Sequence, residues 1–213
     1  MKLLGLNGSP RKNGQTATLV NAVLESALAH QEEKYPALDF QIELLHIADY
    51  PILPCIGCDK CLRKPHTCPL SEQEGDTMTQ LDAKLQESSA LVIGAPSYFA
   101  SPPAQLKLFF DRSRPMKMNN YQWSDLLFGA VVTSGLVSGG VGSTLDALIG
   151  FALTQAMVVV PGKGHPILVP NIAISSLQGR GVKEFHPPEE ISDVAVASAK
   201  SLGTRLVDLL RTD

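Results

Sequence analysis

Apolar and polar positions follow two alternating patterns along this chain. Apolar-rich segments at 2–7, 39–47, 90–95, 127–133 and 156–160 are the candidate strands. Leu91-Val92-Ile93-Gly94-Ala95 and Met157-Val158-Val159-Val160 contain no polar residue, as strands buried on both faces require. Helical patterns over 16–31, 76–88, 103–112, 142–155 and 189–211 come between and after them. The last opens on Glu189-Glu190 behind Pro187-Pro188, acidic in its first turn. Ile191, Val194, Leu202, Leu206 and Leu209 give it an apolar stripe. Strand alternating with helix predicts an α/β fold: a doubly wound, five-stranded parallel sheet with helices on both faces. Such sheets bind ligands beyond the carboxyl ends of their strands, at the switch in strand order.

The whole chain, 1–213, reads as a single domain, long enough to bury a large core. Two segments stand outside the minimal pattern. One is a cysteine-rich insertion at 50–75, and the other a Pro/Gly-rich extension at 161–188. Long irregular loops in compact domains are often functional; a plain surface excursion is the alternative for the extension.

The first turn carries the strongest chemistry. Leu3-Leu4-Gly5-Leu6-Asn7 runs into Gly8-Ser9-Pro10-Arg11-Lys12-Asn13-Gly14-Gln15-Thr16 and then into a helix. A strand that turns into a helix start leaves backbone N–H groups pointing outward, and the helix dipole adds positive charge there. Ser9 and Thr16 add hydroxyls, Arg11 a guanidinium, and Asn13 and Gln15 side-chain amides. An ordinary helix cap needs only one such group, so the set points to a phosphate monoester. The GxGxxG spacing of dinucleotide folds is absent, and so is the Lys-Ser/Thr ending of a P-loop.

This loop resembles the FMN phosphate loop of the NADPH-dependent FMN reductase family, flavodoxin-like proteins that include the iron–sulfur flavoproteins. Pro96-Ser97-Tyr98-Phe99-Ala100-Ser101-Pro102-Pro103-Ala104-Gln105-Leu106-Lys107 resembles the family's second flavin loop, and Thr133-Ser134-Gly135 through Ser138-Gly139-Gly140 its third. The three lie in order, each behind an apolar run, across about residues 1–160. The resemblance implies that Pro96, Ser97, Tyr98 and Phe99 lie beside the isoalloxazine ring. It places the backbone of Thr133, Ser134, Gly135, Gly139 and Gly140 at the ring's polar edge. It also implies a flavodoxin-like fold and a homodimer or homotetramer. Ser143 and Thr144 read as caps of the next helix, and Trp123 as part of a polar loop lining a substrate or subunit surface.

All the cysteines of the chain, Cys55, Cys58, Cys61 and Cys68, fall within the insertion. The spacing C-x2-C-x2-C-x6-C, with Pro69 after it, suits a [4Fe–4S] cluster. It also resembles the iron–sulfur flavoprotein motif. A structural loop with free thiols and a zinc site are the other two readings; zinc more usually takes two separated pairs. His66, inside the motif, reads as a solvated loop histidine.

Charge and composition narrow the function. The net charge is −3 and there is no basic run, which argues against nucleic acid or an anionic membrane as partner. No apolar stretch has the length of a membrane span. The apolar start, Met1–Gly5, is too short for a secretory leader, so a cytoplasmic protein is expected. No catalytic triad or paired acid–base carboxylates appear, in keeping with chemistry carried by a cofactor. The resemblance implies an FMN-dependent oxidoreductase, taking electrons from NAD(P)H or a ferredoxin-like donor to a quinone, flavin or other small-molecule acceptor. Two rivals are an FMN-binding electron carrier without a substrate of its own, and a zinc-stabilised structural module.

Overall fold

The structure, a computed structural model, describes residues 1–65, 67–166, 169, 172–178 and 190–211. Strand β1 (Lys2–Asn7) leads into α1 (Gln15–Lys34), and β2 (Gln41–His46) follows. The cysteine-bearing segment holds a single helical turn, α2 (Lys60–Arg63), before α3 (Met78–Gln86) and β3 (Ala90–Pro96). Next come α4 (Ala104–Arg112), α5 (Arg114–Met118) and β4 (Leu127–Ser134). The chain continues through α6 (Val141–Thr154), β5 (Val158–Val159), β6 (Ala173–Ser176) and α7 (Asp193–Leu210).

All strand pairs are parallel, in the order β2-β1-β3-β4-β5. The expected fifth strand at 156–160 is divided. β5 pairs with Leu127 and Phe128 of β4, and β6 pairs with Val131 to Ser134. The other edge of β4 is taken by β3, so β5 and β6 share one position in the sheet. Ala156 at φ 61° breaks the extended chain at one end. At the other, Val160 still donates to the Phe128 carbonyl, but Pro161 has no N–H to continue the ladder. The segment read as a Pro/Gly-rich extension therefore returns to the sheet at 173–176.

Period-two alternation divides the core. Leu4, Leu6, Leu91, Ile93, Phe128 and Val132 pack on one face with Leu81, Leu85, Phe109 and Phe151 from α3, α4 and α6. Leu3, Val92 and Val131 pack on the other with Val20, Leu24, Leu202 and Leu206 from α1 and α7. α1 and α7 approach closely at Gly203, where an added Cβ would lie 2.3 Å from the Val23 carbonyl oxygen.

Three details differ from the sequence reading. α7 starts at Asp193, where the Ser192 hydroxyl accepts a hydrogen bond from Ala195 N at 3.2 Å; position 189 lies outside the described residues. Val194 faces solvent, and Ala195 and Ala199 carry the start of the buried stripe. Trp123 is fully buried, stacked on Phe109, and its indole N–H donates to Asp82 Oδ1 at 2.9 Å. That rules it out as a surface residue of a ligand or subunit contact.

Candidate functional site

The three loops leave β1, β3 and β4 at the same edge of a parallel sheet, and they meet there. A cleft of about 300 Å3 is lined by Ser9, Arg11, Gly14, Gln15, Thr16, Pro96, Ser97, Tyr98, Thr133, Ser134, Gly135 and Leu177. It lies where strand order reverses between β1 and β3.

Buried Asn7, at the end of β1, shapes the first loop. Its Oδ1 accepts from Ser9 N at 3.2 Å, and its Nδ2 donates to the Arg11 carbonyl at 3.0 Å. Ser9 Oγ in turn accepts from Arg11 N at 3.1 Å. The loop enters α1 through Gly14 at φ 148°, a backbone conformation that glycine permits. No side chain caps α1 and no acidic residue occupies its first turn. The N–H groups at the head of a 20-residue helix thus remain available at the cleft.

Side-chain bonds tie the loops together. Thr16 Oγ1 lies 2.7 Å from Thr133 Oγ1. Gln15 Nε2 donates to the Glu190 carbonyl at 2.7 Å, while its Oε1 accepts from Ser175 Oγ at 3.3 Å. Ser97 Oγ is buried in the second loop without a protein partner. A buried hydroxyl left open in this way is a place for a ligand atom.

Four of the residues singled out in the sequence do not line the cleft. Asn13 is exposed on the loop. Phe99 is wholly exposed at the tip of a hairpin turn, with Phe99 and Ala100 at φ 49° and 59° between the reciprocal bonds of Tyr98 and Ser101. Gly139 and Gly140 sit behind the wall; a Cβ at Gly140 would lie 2.5 Å from Ala100 Cα, so the third loop braces the second. Ser143 and Thr144 cap nothing, because α6 begins earlier, after Gly140.

The sequence reading missed two contributors. Asn7 looked like the polar end of a strand, and only its bonds to Ser9 and Arg11 show that it organises the loop. Leu177 follows β6, a strand too short to stand out. Its N–H donates to the Ser134 carbonyl at 3.0 Å, which closes the cleft.

The cysteines gather at a second place in the fold. Cys55, Cys58, Cys61 and Cys68 are free thiols and line one small cavity together with Arg112, Arg114 and Pro115. The space between them is about 20 Å3, room for about one water. Among the described residues no three His, Cys, Asp or Glu side chains converge on a single-ion site. The thiols share a wall, with exposed Ile56 and Leu62 beside them, so little packed structure holds that space closed. Four soft sulfur donors on one wall suit an iron–sulfur centre better than a hard cation. His66 lies outside the described residues.

One guanidinium closes the cysteine segment. Arg112, 1% exposed, pairs through both terminal nitrogens with the fully buried carboxylate of Asp76. It also donates to the Leu53 carbonyl at 2.8 Å and to Ser71 Oγ at 3.3 Å. Burial pushes the Asp76 carboxyl upward, but Arg112 and the backbone N–H groups of Leu53 and Met78 outweigh that and hold it below the usual carboxylate range. Arg114 donates to Asp59 Oδ1 at 2.6 Å. That bond outweighs desolvation and raises the Arg114 guanidinium above its ordinary value. Asp111, next to Arg112 in the chain, binds Lys107 instead.

The family model described as NADPH-dependent FMN reductase matches residues 1–165. An iron-sulfur flavoprotein of Archaeoglobus fulgidus is 36% identical, over 98% of this chain and 95% of that protein. One from Methanocaldococcus jannaschii is 29% identical, over 99% and 98%. Among solved structures, a WrbA-like flavodoxin of Agrobacterium tumefaciens superposes with a TM-score of 0.61 at 19% identity, covering 99% of this chain and 96% of that one. No described helix is long and apolar enough to cross a membrane.

Proposed function

The chain belongs to the NADPH-dependent FMN reductase family, and from that premise we propose that its 300 Å3 cleft holds FMN and that its four cysteines hold a [4Fe–4S] cluster. The protein would be an oxidoreductase passing electrons from NAD(P)H or a ferredoxin-like donor to a quinone, flavin or other small-molecule acceptor. The observation that carries the flavin reading is a single cleft with donors still open in it. The head of α1 is uncapped, and Ser97 Oγ is buried without a partner.

FMN, when bound, supplies the electron- and hydride-accepting chemistry. The chain's own residues bind and orient it. Ser9, Arg11, Gln15, Thr16 and the α1 N–H groups would take the phosphate, with Asn13 at the loop's outer side. Pro96, Ser97 and Tyr98 would flank the ring, with Phe99 on the exposed hairpin tip beyond it. Thr133, Ser134 and Gly135 would meet its polar edge, braced by Gly139 and Gly140. No side chain is assigned as a general acid or base. The iron–sulfur reading is supported by four thiols on one wall and by relatives named for such a centre. The exposed apolar side chains Phe99, Leu136 and Val137 around the cleft support the self-association expected of the family.

Titration of the apoprotein with FMN, read by quenching of flavin fluorescence, tests the placement. A hydrogen bond to a charged group contributes about 1.5–3 kcal/mol. The double variant Ser9→Ala/Arg11→Gln should therefore bind FMN at least about tenfold more weakly. Unchanged affinity would remove the phosphate from this loop. Anaerobic oxidation of NADH and NADPH with a quinone then tests the activity. Reduction by a ferredoxin-like donor but by neither nicotinamide would favour the electron carrier.

A further inference from the structure

We propose that Arg112 and Arg114, on the wall of the four-thiol cavity, bias the centre held there towards its reduced state. The inference rests on the reading that the cysteines hold an iron–sulfur cluster. Both arginines line the same cavity as the four thiols, and so do Asp59, the partner of Arg114, and Asp111, the partner of Lys107. The arginines approach it differently: Arg112 is buried, and Arg114 stands at the partly exposed rim.

Arg112 first acts as a positioning residue. Its terminal nitrogens bind Leu53, Ser71 and Asp76, so one guanidinium holds the segment on both sides of the cysteines. All four terminal contacts point towards the segment's ends. The remaining donor, Nε–H, is buried without a partner. An unpaired buried N–H on a cation is costly unless something accepts it. The carboxylates on this wall, Asp59 and Asp111, are already paired with Arg114 and Lys107, so this donor is assigned to the sulfurs of the proposed centre. Charge-assisted hydrogen bonds to cluster sulfur and nearby cations both favour added negative charge. Reduction adds one electron and hence one negative charge to the cluster, so loss of either arginine disfavours the reduced form. Asp76 works in the opposite sense, because its carboxylate offsets the Arg112 charge.

The test is the midpoint potential of the iron–sulfur centre in full-length, FMN-loaded protein reconstituted without oxygen with iron and sulfide. The potential is read by electron paramagnetic resonance during titration with dithionite. Arg112→Lys keeps the charge but removes the Nε donor, and Arg114→Gln removes a charge at the rim; both should shift the potential to more negative values. Asp76→Asn removes the offsetting charge and should shift it to more positive values. Unchanged potentials, or all three variants moving the same way, would overturn the proposal, since a merely structural clamp gives no opposite signs. Where the two buried variants fail to load the centre, Arg114→Gln decides: a more negative potential supports the proposal, and an unchanged one ends it. Wild-type protein that binds FMN but takes up no iron would instead sink the four-thiol reading, and the proposal with it.

Discussion

The hydroxyls of Thr16 and Thr133 lie 2.7 Å apart and buried, joining the head of α1 to the end of β4. This bond fixes the first and third loops of the cleft to each other. Thr133→Val leaves the Thr16 hydroxyl buried without that partner and should cost about 1–3 kcal/mol in urea unfolding of the apoprotein. Thr16→Val/Thr133→Val removes both partners and should cost clearly less than the two single changes added together. Additive losses would mean that the two hydroxyls do not act as a pair.

Asn7 is the residue on which the first loop hangs. Asn7→Ala removes one acceptor and one donor from the loop backbone, so the loop should lose its shape before the sheet loses its stability. The expected result is FMN binding weakened at least as much as by Ser9→Ala, with the far-ultraviolet spectrum of the fold retained. Binding like that of the wild type would assign the loop's shape to its backbone alone.

Acid should loosen the cysteine segment first. The Asp76 carboxyl is held below its ordinary value of 3.8 in the folded protein, against its own desolvation, by Arg112 and two backbone N–H groups. Asp208 is also held low: burial raises it, but the His30 and Tyr35 hydrogen bonds outweigh that. A depressed carboxyl stabilises the fold fully above its unfolded value and loses that contribution as pH falls through the folded one. The melting temperature should therefore fall as pH drops below about 4. Asp76→Asn should melt lower at neutral pH and show a flatter decline in acid. An equally steep decline in the variant would place the acid sensitivity elsewhere.

Glycine-to-alanine exchange in a helix usually adds stability through the unfolded chain. Gly203→Ala should do the reverse. The new methyl group would sit 2.2 Å from Ser26 Oγ and 2.3 Å from the Val23 carbonyl, where α7 crosses α1. Overpacking of this kind costs about 1–3 kcal/mol, measurable as a lower urea midpoint. A gain in stability would mean that the two helices can separate freely.

The strands and the three loops could be read from the sequence because each loop follows an apolar run long enough to be a buried strand. The residues that the structure places in the cleft, such as Ser9, Thr16, Ser97 and Thr133, are close in sequence to those runs. The misreadings share a different cause. Trp123 sits in a polar stretch, yet its partner Asp82 is 41 residues away. Arg112 has Asp111 beside it in the chain, yet its carboxylate partner is Asp76, 36 residues away. β6 has four residues and pairs with only half of β4, so local pattern gives it no signal. In each case a long-range contact decides the role, and one-dimensional periodicity carries no record of it. Asn13 and Phe99 show the converse: the motif named them, and the backbone turns them outward.

On this reading one chain would carry a flavin in its loop cleft and an iron–sulfur centre in its cysteine segment. The visible absorption spectrum of protein purified without oxygen, recorded before and after dithionite, tests it most directly. The account predicts two flavin bands above a broad iron–sulfur shoulder, with both bleached on reduction. Flavin bands without the shoulder would leave an FMN reductase with structural cysteines, and protein that remains colourless after incubation with FMN, iron and sulfide would contradict the account altogether.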